Sequence, residues 1–275
     1  MILLVSSKKD VASLNIRRQL LSRYPFEKTL KEYQQTTLFH IEIGGNEVVL
    51  ATLKDESVYA QNLPSEFPDV DLIVFISRHS SQNGKPTLSV HAPGNFGNAE
   101  FGGLPNQVSI APALAMQDAL KALFQQKEVL SLNYEVSYEC THHGPSLKVP
   151  TMFVELGSSQ IQWEDSKAAT AVAHATMNAI VDFSNSASTP VVLGIGGTHY
   201  NQKFTDMALA GEVVFGHIIP KYAVNLISGE MLQQCVERTM GKVLFIVLDW
   251  KGIRSEDKPA LLSTIQKIGL SFRKV

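Results

Sequence analysis

Short, wholly apolar runs alternate with amphipathic stretches along this chain, and several of the runs end in a loop carrying glycine and histidine. An apolar run of four to eight residues suits a strand buried on both faces, and such a strand needs helices to cover it. Met1 to Val5, Asp71 to Ser77, Thr87 to His91, Met152 to Leu156, Val191 to Ile195 and Val243 to Leu248 are runs of this kind. Leu132 to Cys140 alternates, and Glu212 to Phe215 is a shorter strand running into GHIIPKY. Leu38 to Ile43 and Glu47 to Leu53 flank Gly44-Gly45-Asn46, the signature of a hairpin. Helical spacing follows the cap Asp10, recurs from Ala111 to Gln126 behind Pro112, and returns over Asp165 to Phe183 and Lys258 to Ile268, before a last strand, Leu270 to Phe272. The pattern predicts an α/β fold: a mixed, largely parallel sheet flanked by helices. No repeat, low-complexity tract or Pro/Ser linker marks a boundary. Residues 1–275 therefore read as one domain, with a smaller lobe within 27–67 left open.

A chain of this length buries about three quarters of its unfolded surface, so its core needs no staple. Cys140 and Cys235 are too few for a disulfide framework, and the expected compartment is reducing and cytoplasmic. No apolar stretch approaches the ~20 residues of a membrane span, and MILLVSSKKD reverses the order of a signal peptide. With 24 basic against 26 acidic residues the net charge is -2, which argues against a sequence-blind nucleic-acid coat but not against a local basic patch.

In open α/β sheets ligands bind beyond the carboxyl ends of the strands, so loops that follow strands converge on one crevice. SRHSS, SVHAPGNFG, ECTHHGPS, VELGSS, GIGGTHY and GHIIPKY are such loops. His174 lies instead within a predicted helix and reads as structural. His142 and His143 are adjacent, so extended backbone would point them apart, while a bend at Gly144-Pro145 lets both face a cavity; the other reading is that one merely bonds the turn. Glu155 interrupts an apolar strand, where a carboxylate is paired, metal-bound or used as a base unless that strand is half exposed. His199, at the end of the glycine-rich GIGGTH, and His217, after Phe215-Gly216, suit zinc through a neutral imidazole. HExxH, CxxC, GxGxxG, Walker and GxSxG patterns are all absent, so any site must be assembled from distant segments. The Gly94–Gly103 stretch offers amides to an oxyanion or phosphate, or is only a tight turn. Lys148, Lys203 and Lys221 each follow a histidine loop by four or five residues and are placed to hold a phosphodiester end.

Read in order, HAPGNFG (91–97), CTHHGPS (140–146), VELGSS (154–159), GIGGTHY (194–200) and GHIIPKY (216–222) resemble the archaeal and plant type of D-aminoacyl-tRNA deacylase, and VSSKKDVASLNI (5–16) is similar to that family's opening. The resemblance implies hydrolysis of the ester joining a D-amino acid to the tRNA 3′ end, a zinc cofactor, and a fold likened to phosphorylase and peptidyl-tRNA hydrolase domains. It also implies aminoacyl-tRNA, gripped at its acceptor end, as the partner; nothing in the sequence demands a dimer, and a monomer is expected. The resemblance does not fix the ligands. On our reading His142, His143, Glu155 and His199 carry the chemistry, with His142, Glu155 and His199 as zinc ligands. The substrate contacts on the same reading are His91, Gly94, Asn95, Gly97, Lys148, Gly196, Gly197, His217 and Lys221. Two other classes stay open: a nucleoside phosphorylase or nucleosidase, and a non-catalytic module that binds the tRNA end.

Overall fold

The computed structural model describes residues 1–181, 183 and 189–275. In chain order the elements are β1 (Ile2–Ser7), α1 (Val11–Arg23), β2 (Glu27–Tyr33), β3 (Thr36–Ile43), β4 (Asn46–Leu53), α2 (Leu63–Glu66), β5 (Leu72–Arg78), β6 (Thr87–His91), β7 (Gly94–Asn95), β8 (Gln107–Val108), α3 (Ala113–Val129), β9 (Glu135–Tyr138) and β10 (Thr151–Gly157). There follow α4 (Gln160–Trp163), α5 (Ser166–Val181), β11 (Val191–Ile195), α6 (Gln202–Leu209), β12 (Val214–Ile219), α7 (Gly229–Glu237), β13 (Val243–Leu248), α8 (Lys258–Ile268) and β14 (Ser271–Lys274). Asp182, within the predicted helix 165–183, lies outside the described residues. No helix among the described residues is long and apolar enough to cross a membrane.

Eight strands form one mixed sheet in the order β2-β3-β4-β1-β5-β10-β6-β9, and β12-β11-β13-β14 form a second, all-parallel sheet. The α/β class and mixed sheet are thus as the patterning predicts. The 27–53 segment extends the large sheet, because β4 pairs in parallel with β1. Asp10 caps α1 by accepting a hydrogen bond from the Ser13 amide at 2.9 Å. Alternation along the strands divides the core. Ile2, Leu4, Val74, Ile76, Val154 and Leu156 pack under α1, α3 and α5, whereas Leu3, Val5, Phe75 and Phe153 face the opposite side with Leu38, Leu53 and Leu63.

That opposite side changes character along the central strands. Phe75 pairs with Phe153, which pairs with His91; two residues on, Ser77 pairs with Glu155, which pairs with Ser89, which pairs with Ser137. A side-chain period of two puts both rows on the same face, so an apolar floor becomes a buried polar row toward the carboxyl ends of β5 and β10. One sequence-based boundary moves. GHII lies inside β12 rather than in a loop after it, because the segment is enclosed between β11 and the rest of the core.

Candidate active site

Glu139 and Glu155 are buried to 1% and 2% exposure, and the groups facing them are imidazoles. Each arrives by a different route. Glu155 is positioned by β10 and accepts a hydrogen bond from the Ser77 hydroxyl, its cross-strand neighbour. Glu139 follows β9, and its amide bonds the Val90 carbonyl, which sets it beside His91 at the end of β6. His79 follows β5, with Nδ1 3.1 Å from Glu139 Oε1 and 3.5 Å from Glu155 Oε2. His199, from the loop after β11, donates to Glu139 Oε2 at 2.8 Å through Nε2, while its Nδ1 lies 3.3 Å from Cys140 Sγ. His142 Nε2 is 3.6 Å from Glu139 Oε2, and His91 Nε2 is 3.7 Å from Glu155 Oε2.

The adjacent pair His142 and His143 faces one cavity because His143 takes a left-handed backbone conformation, φ +42°. For a residue other than glycine that conformation costs roughly 1 kcal/mol or more, and here it turns both rings inward. Their centroids stand 4.2 Å apart, and 4.3 and 4.9 Å from His91. His142 Nδ1 bonds the Cys140 carbonyl at 2.8 Å, His143 Nδ1 the Gly144 carbonyl at 2.7 Å, and His91 Nδ1 the Ala92 carbonyl at 3.3 Å. A carbonyl only accepts, so each Nδ1 carries the proton and each Nε2 is left with a lone pair. Among the described residues, the buried His91 Nε2 has no hydrogen-bond partner at all.

The titrations diverge accordingly. Burial, then the neighbouring imidazoles of His143 and His91, hold His142 well below the ordinary histidine range, and burial with His91 takes His143 down to about 4. Burial also opposes protonation of His79 and His199, but Glu139 and Glu155 outweigh it at His79, raising it to about 10. Cys140 and Glu139 do the same at His199, raising it to about 11. Burial disfavours ionised carboxylates, yet the contacts with His79 and His199 hold Glu139 well below its usual value, and those with His79 and His91 hold Glu155 down. At neutral pH the site therefore contains two carboxylates, two imidazoliums and neutral His142 and His143.

A cavity of about 500 Å³ opens onto this cluster, and His79, His142, His143, Glu155 and His199 line it. Among the described residues, four sets of donor atoms lie within 4.8 Å of one another: His91/His142/His143, Cys140/His142/His199, His79/Glu139/His199 and His91/Glu139/Glu155. The trio expected from sequence, His142, Glu155 and His199, is not one of them, because Glu155 is held toward His79 and His91 while His199 is tied to Glu139. His79 and Glu139 were not among the sequence candidates. Alternation along Leu132 to Cys140 puts Glu139 in the polar parity with Asn133, Glu135 and Ser137, so it carries no mark of its own in the sequence; His79 stands in SRHSS, one of the strand-end loops.

The expected substrate contacts fare differently. His91 joins the cluster from beneath. The amides offered for an oxyanion are already engaged: Gly94 bonds the His143 carbonyl at 2.7 Å, Gly196 the Ile219 carbonyl at 2.8 Å and Gly197 the Gly252 carbonyl at 3.1 Å. Asn95 Nδ2 donates to the Gly102 and Leu104 carbonyls, and the Gly97 carbonyl accepts from the Asn106 amide, so both hold the loop together. Lys148 is exposed and does not line the cavity. Lys221 lines a neighbouring cavity of about 280 Å³ with Lys203, whose ammonium pairs with Asp249 at 2.5 Å. His174 bonds the Tyr24 hydroxyl at 2.7 Å.

His217 leaves the site altogether. It is fully buried in β12, with Nε2 3.1 Å from the carbonyls of both Ser109 and Arg238 and Nδ1 3.0 Å from the Thr141 hydroxyl. Both nitrogens are engaged, and burial pushes its pKa down to about 4, so it stays neutral and structural. His217→Ala is expected to lower stability by about 2–4 kcal/mol, from a cavity plus orphaned polar groups, with the rate per folded molecule unchanged. Denaturant melts paired with rates check this, and a rate loss at unchanged stability would return His217 to the chemistry.

The model of the D-aminoacyl-tRNA deacylase family matches residues 66–273. A D-aminoacyl-tRNA deacylase of Thermococcus onnurineus is 35% identical over 275 residues, covering 98% of each chain, and one of Methanococcus vannielii is 33% identical over 281 residues, covering 99% of each. A crystal structure of a conserved protein of unknown function aligns with a TM-score of 0.88 and 31% identity, over 100% of this chain and 95% of that one. The match over three quarters of the sequence, together with near-complete coverage of these relatives, establishes that the chain belongs to the D-aminoacyl-tRNA deacylase family.

Proposed function

We propose that this chain hydrolyses the ester of D-aminoacyl-tRNA, releasing free D-amino acid and tRNA. Beside family membership, the observation that carries the reading is the convergence of Glu139, Glu155 and five histidines at one cavity. An aminoacyl ester is already activated, so the reaction needs a positioned water, a base and something to receive charge at the departing oxygen. Of the carboxylates that line the cavity, Glu155 is the one set among the histidines; ionised, and steadied by Ser77, it accepts the proton of the attacking water. His199, protonated and clamped between Cys140 and Glu139, keeps positive charge beside the ribose oxygen as the bond from carbonyl carbon to that oxygen breaks, and the oxygen takes the proton that Glu155 received from water. Glu139 does not line the cavity. It orients His79 and His199 from behind.

Zinc fits the donor set, since His91, His142 and His143 converge with three lone pairs whose tautomers are fixed from the far side of each ring, and these are the residues we assign to hold it. When bound, it supplies a Lewis acid that lowers the pKa of water and polarises a carbonyl. Lys221, in the cavity next to His199's loop, is our choice to meet a phosphate of the acceptor end. A single chain holds every residue of the cluster, so the reading needs only a monomer, and its substrate belongs to the cytoplasm.

The test is hydrolysis of matched D- and L-aminoacyl-tRNA. Preference for the D form by about a hundredfold in kcat/KM is expected, the ratio that roughly 3 kcal/mol of steric exclusion gives. Equal rates on both, or none on either, would remove the reading. Cleavage of a nucleoside only when phosphate is added would indicate a phosphorylase, and binding without any change in ester lifetime a passive module.

A further inference from the structure

Among the described residues, the two most exposed aromatic side chains are Phe101 at 66% and Tyr59 at 57%, and both line the cavity that holds the histidine cluster. Exposed aromatic rings lining a cavity that also holds Glu56, Arg78 and Glu155 call for a ligand with a flat apolar surface beside polar groups. Neither ring is loosely placed. Tyr59 ends a short 3-10 turn, Ser57–Tyr59, and the loop bearing Phe101 packs directly against it. That approach requires glycine at 102, where an added methyl would collide with the Val58 carbonyl oxygen. The Phe101 carbonyl accepts the Gly144 amide at 2.9 Å, and Gln61 bonds both the amide and the carbonyl of Ser146, at 2.9 and 2.7 Å. Both rings are thereby anchored to the THHGP loop, the same loop that presents His142 and His143.

We infer that Tyr59 and Phe101 form a stacking site for the terminal adenine of the substrate. This rests on the deacylase reading above. Base and ester are carried by one ribose, so a cavity that holds the ester against Glu155 and His199 must also hold the base close by, and Tyr59 and Phe101 line that same cavity. Stacking uses the face of the base and leaves its edges unread, which suits a terminal adenosine common to every tRNA. The Gly94–Gly103 stretch thereby gains a role, with its glycines shaping a platform.

The experiment compares two small substrates, the D-phenylalanyl ester of adenosine and the D-phenylalanyl ester of 1-O-methylribose, which lacks the base. Base–aromatic stacking corresponds to about a five- to hundredfold effect per base, so wild-type protein is expected to show a KM lower by that order for the adenosine ester. Tyr59→Leu and Phe101→Leu should erase the difference while leaving hydrolysis of the base-free ester unchanged, and Phe101→Trp should retain it. The indole introduced by Phe101→Trp should also be quenched by the non-hydrolysable amide analogue of aminoacyl-adenosine, and not by the base-free amide. Equal KM values for both esters in the wild type, or leucine variants that slow both esters alike, would overturn the stacking site while deacylase activity stands. Hydrolysis of neither ester, nor of D-aminoacyl-tRNA, would remove the deacylase reading and the stacking site with it.

Discussion

Glu139→Gln is expected to hydrolyse D-aminoacyl-tRNA about 10²- to 10⁴-fold more slowly than the wild type, the span that positioned acid and base groups contribute. Glutamine keeps the volume and removes the charge. Three histidines face Glu139 between 2.8 and 3.6 Å. His199 owes its elevated pKa, about 11, to Cys140 and Glu139 acting against burial. Without the carboxylate, Cys140 alone opposes burial, so the His199 pKa falls and the positive charge held at the departing ribose oxygen is weakened. The loss should fall on kcat with KM changed only severalfold, because Glu139 does not line the cavity. Titrating the His199 ring by NMR in the variant checks the cause independently of the rate. A variant with the wild-type kcat would mean that this network is structural. A smaller stability loss accompanies the substitution, since breaking one side of a buried charge network leaves partners uncompensated.

Stripping divalent metal from the purified protein is expected to lower the rate by about a hundredfold or more, the scale of several kcal/mol of Lewis-acid assistance. It should also lower the melting temperature by roughly 5–10 °C, since a ligand present at 100 to 1,000 times its Kd adds about 3–4 kcal/mol to the stability of a chain of this size. Stoichiometric zinc should restore both. His91→Ala and His143→Ala should each lose zinc binding in elemental analysis, whereas His174→Ala, bonded only to Tyr24 outside the cluster, should retain it. Metal-free protein with full activity and an unshifted melt would take zinc out of this site. The His91 variant is the sharper test. Its Nε2 is buried without a hydrogen-bond partner, a costly state that a bound cation would relieve.

Much of this was legible in the chain because it depends on local rules. Apolar runs of strand length alternating with helical spacing are enough to specify an α/β fold, since strands buried on both faces need covering helices. Glu155 was identifiable because a carboxylate amid apolar strand residues needs a partner. The family motifs were also readable, since they are contiguous.

Tertiary structure decided what depends on register and handedness. Glu155 lies within the apolar strand β10 and Glu139 just after the alternating strand β9, and only the pairing β5-β10-β6-β9 brings them to the same histidines. His142 and His143 act on one side because of a single positive φ, which the sequence around Gly144-Pro145 permits and does not demand. His217 and His199 look alike as histidines in glycine-bearing strand-end segments, yet one fell inside a buried strand, bonded to backbone carbonyls and the Thr141 hydroxyl, and the other in a loop against Glu139. The amides of Gly94, Gly196 and Gly197 were engaged by backbone contacts from distant segments. Sequence alone thus determined which residue types had to be paired and which segments had to be strands. Which residue met which was decided by the fold, because a hydrogen bond or ion pair depends on positions in space set by every intervening strand and turn.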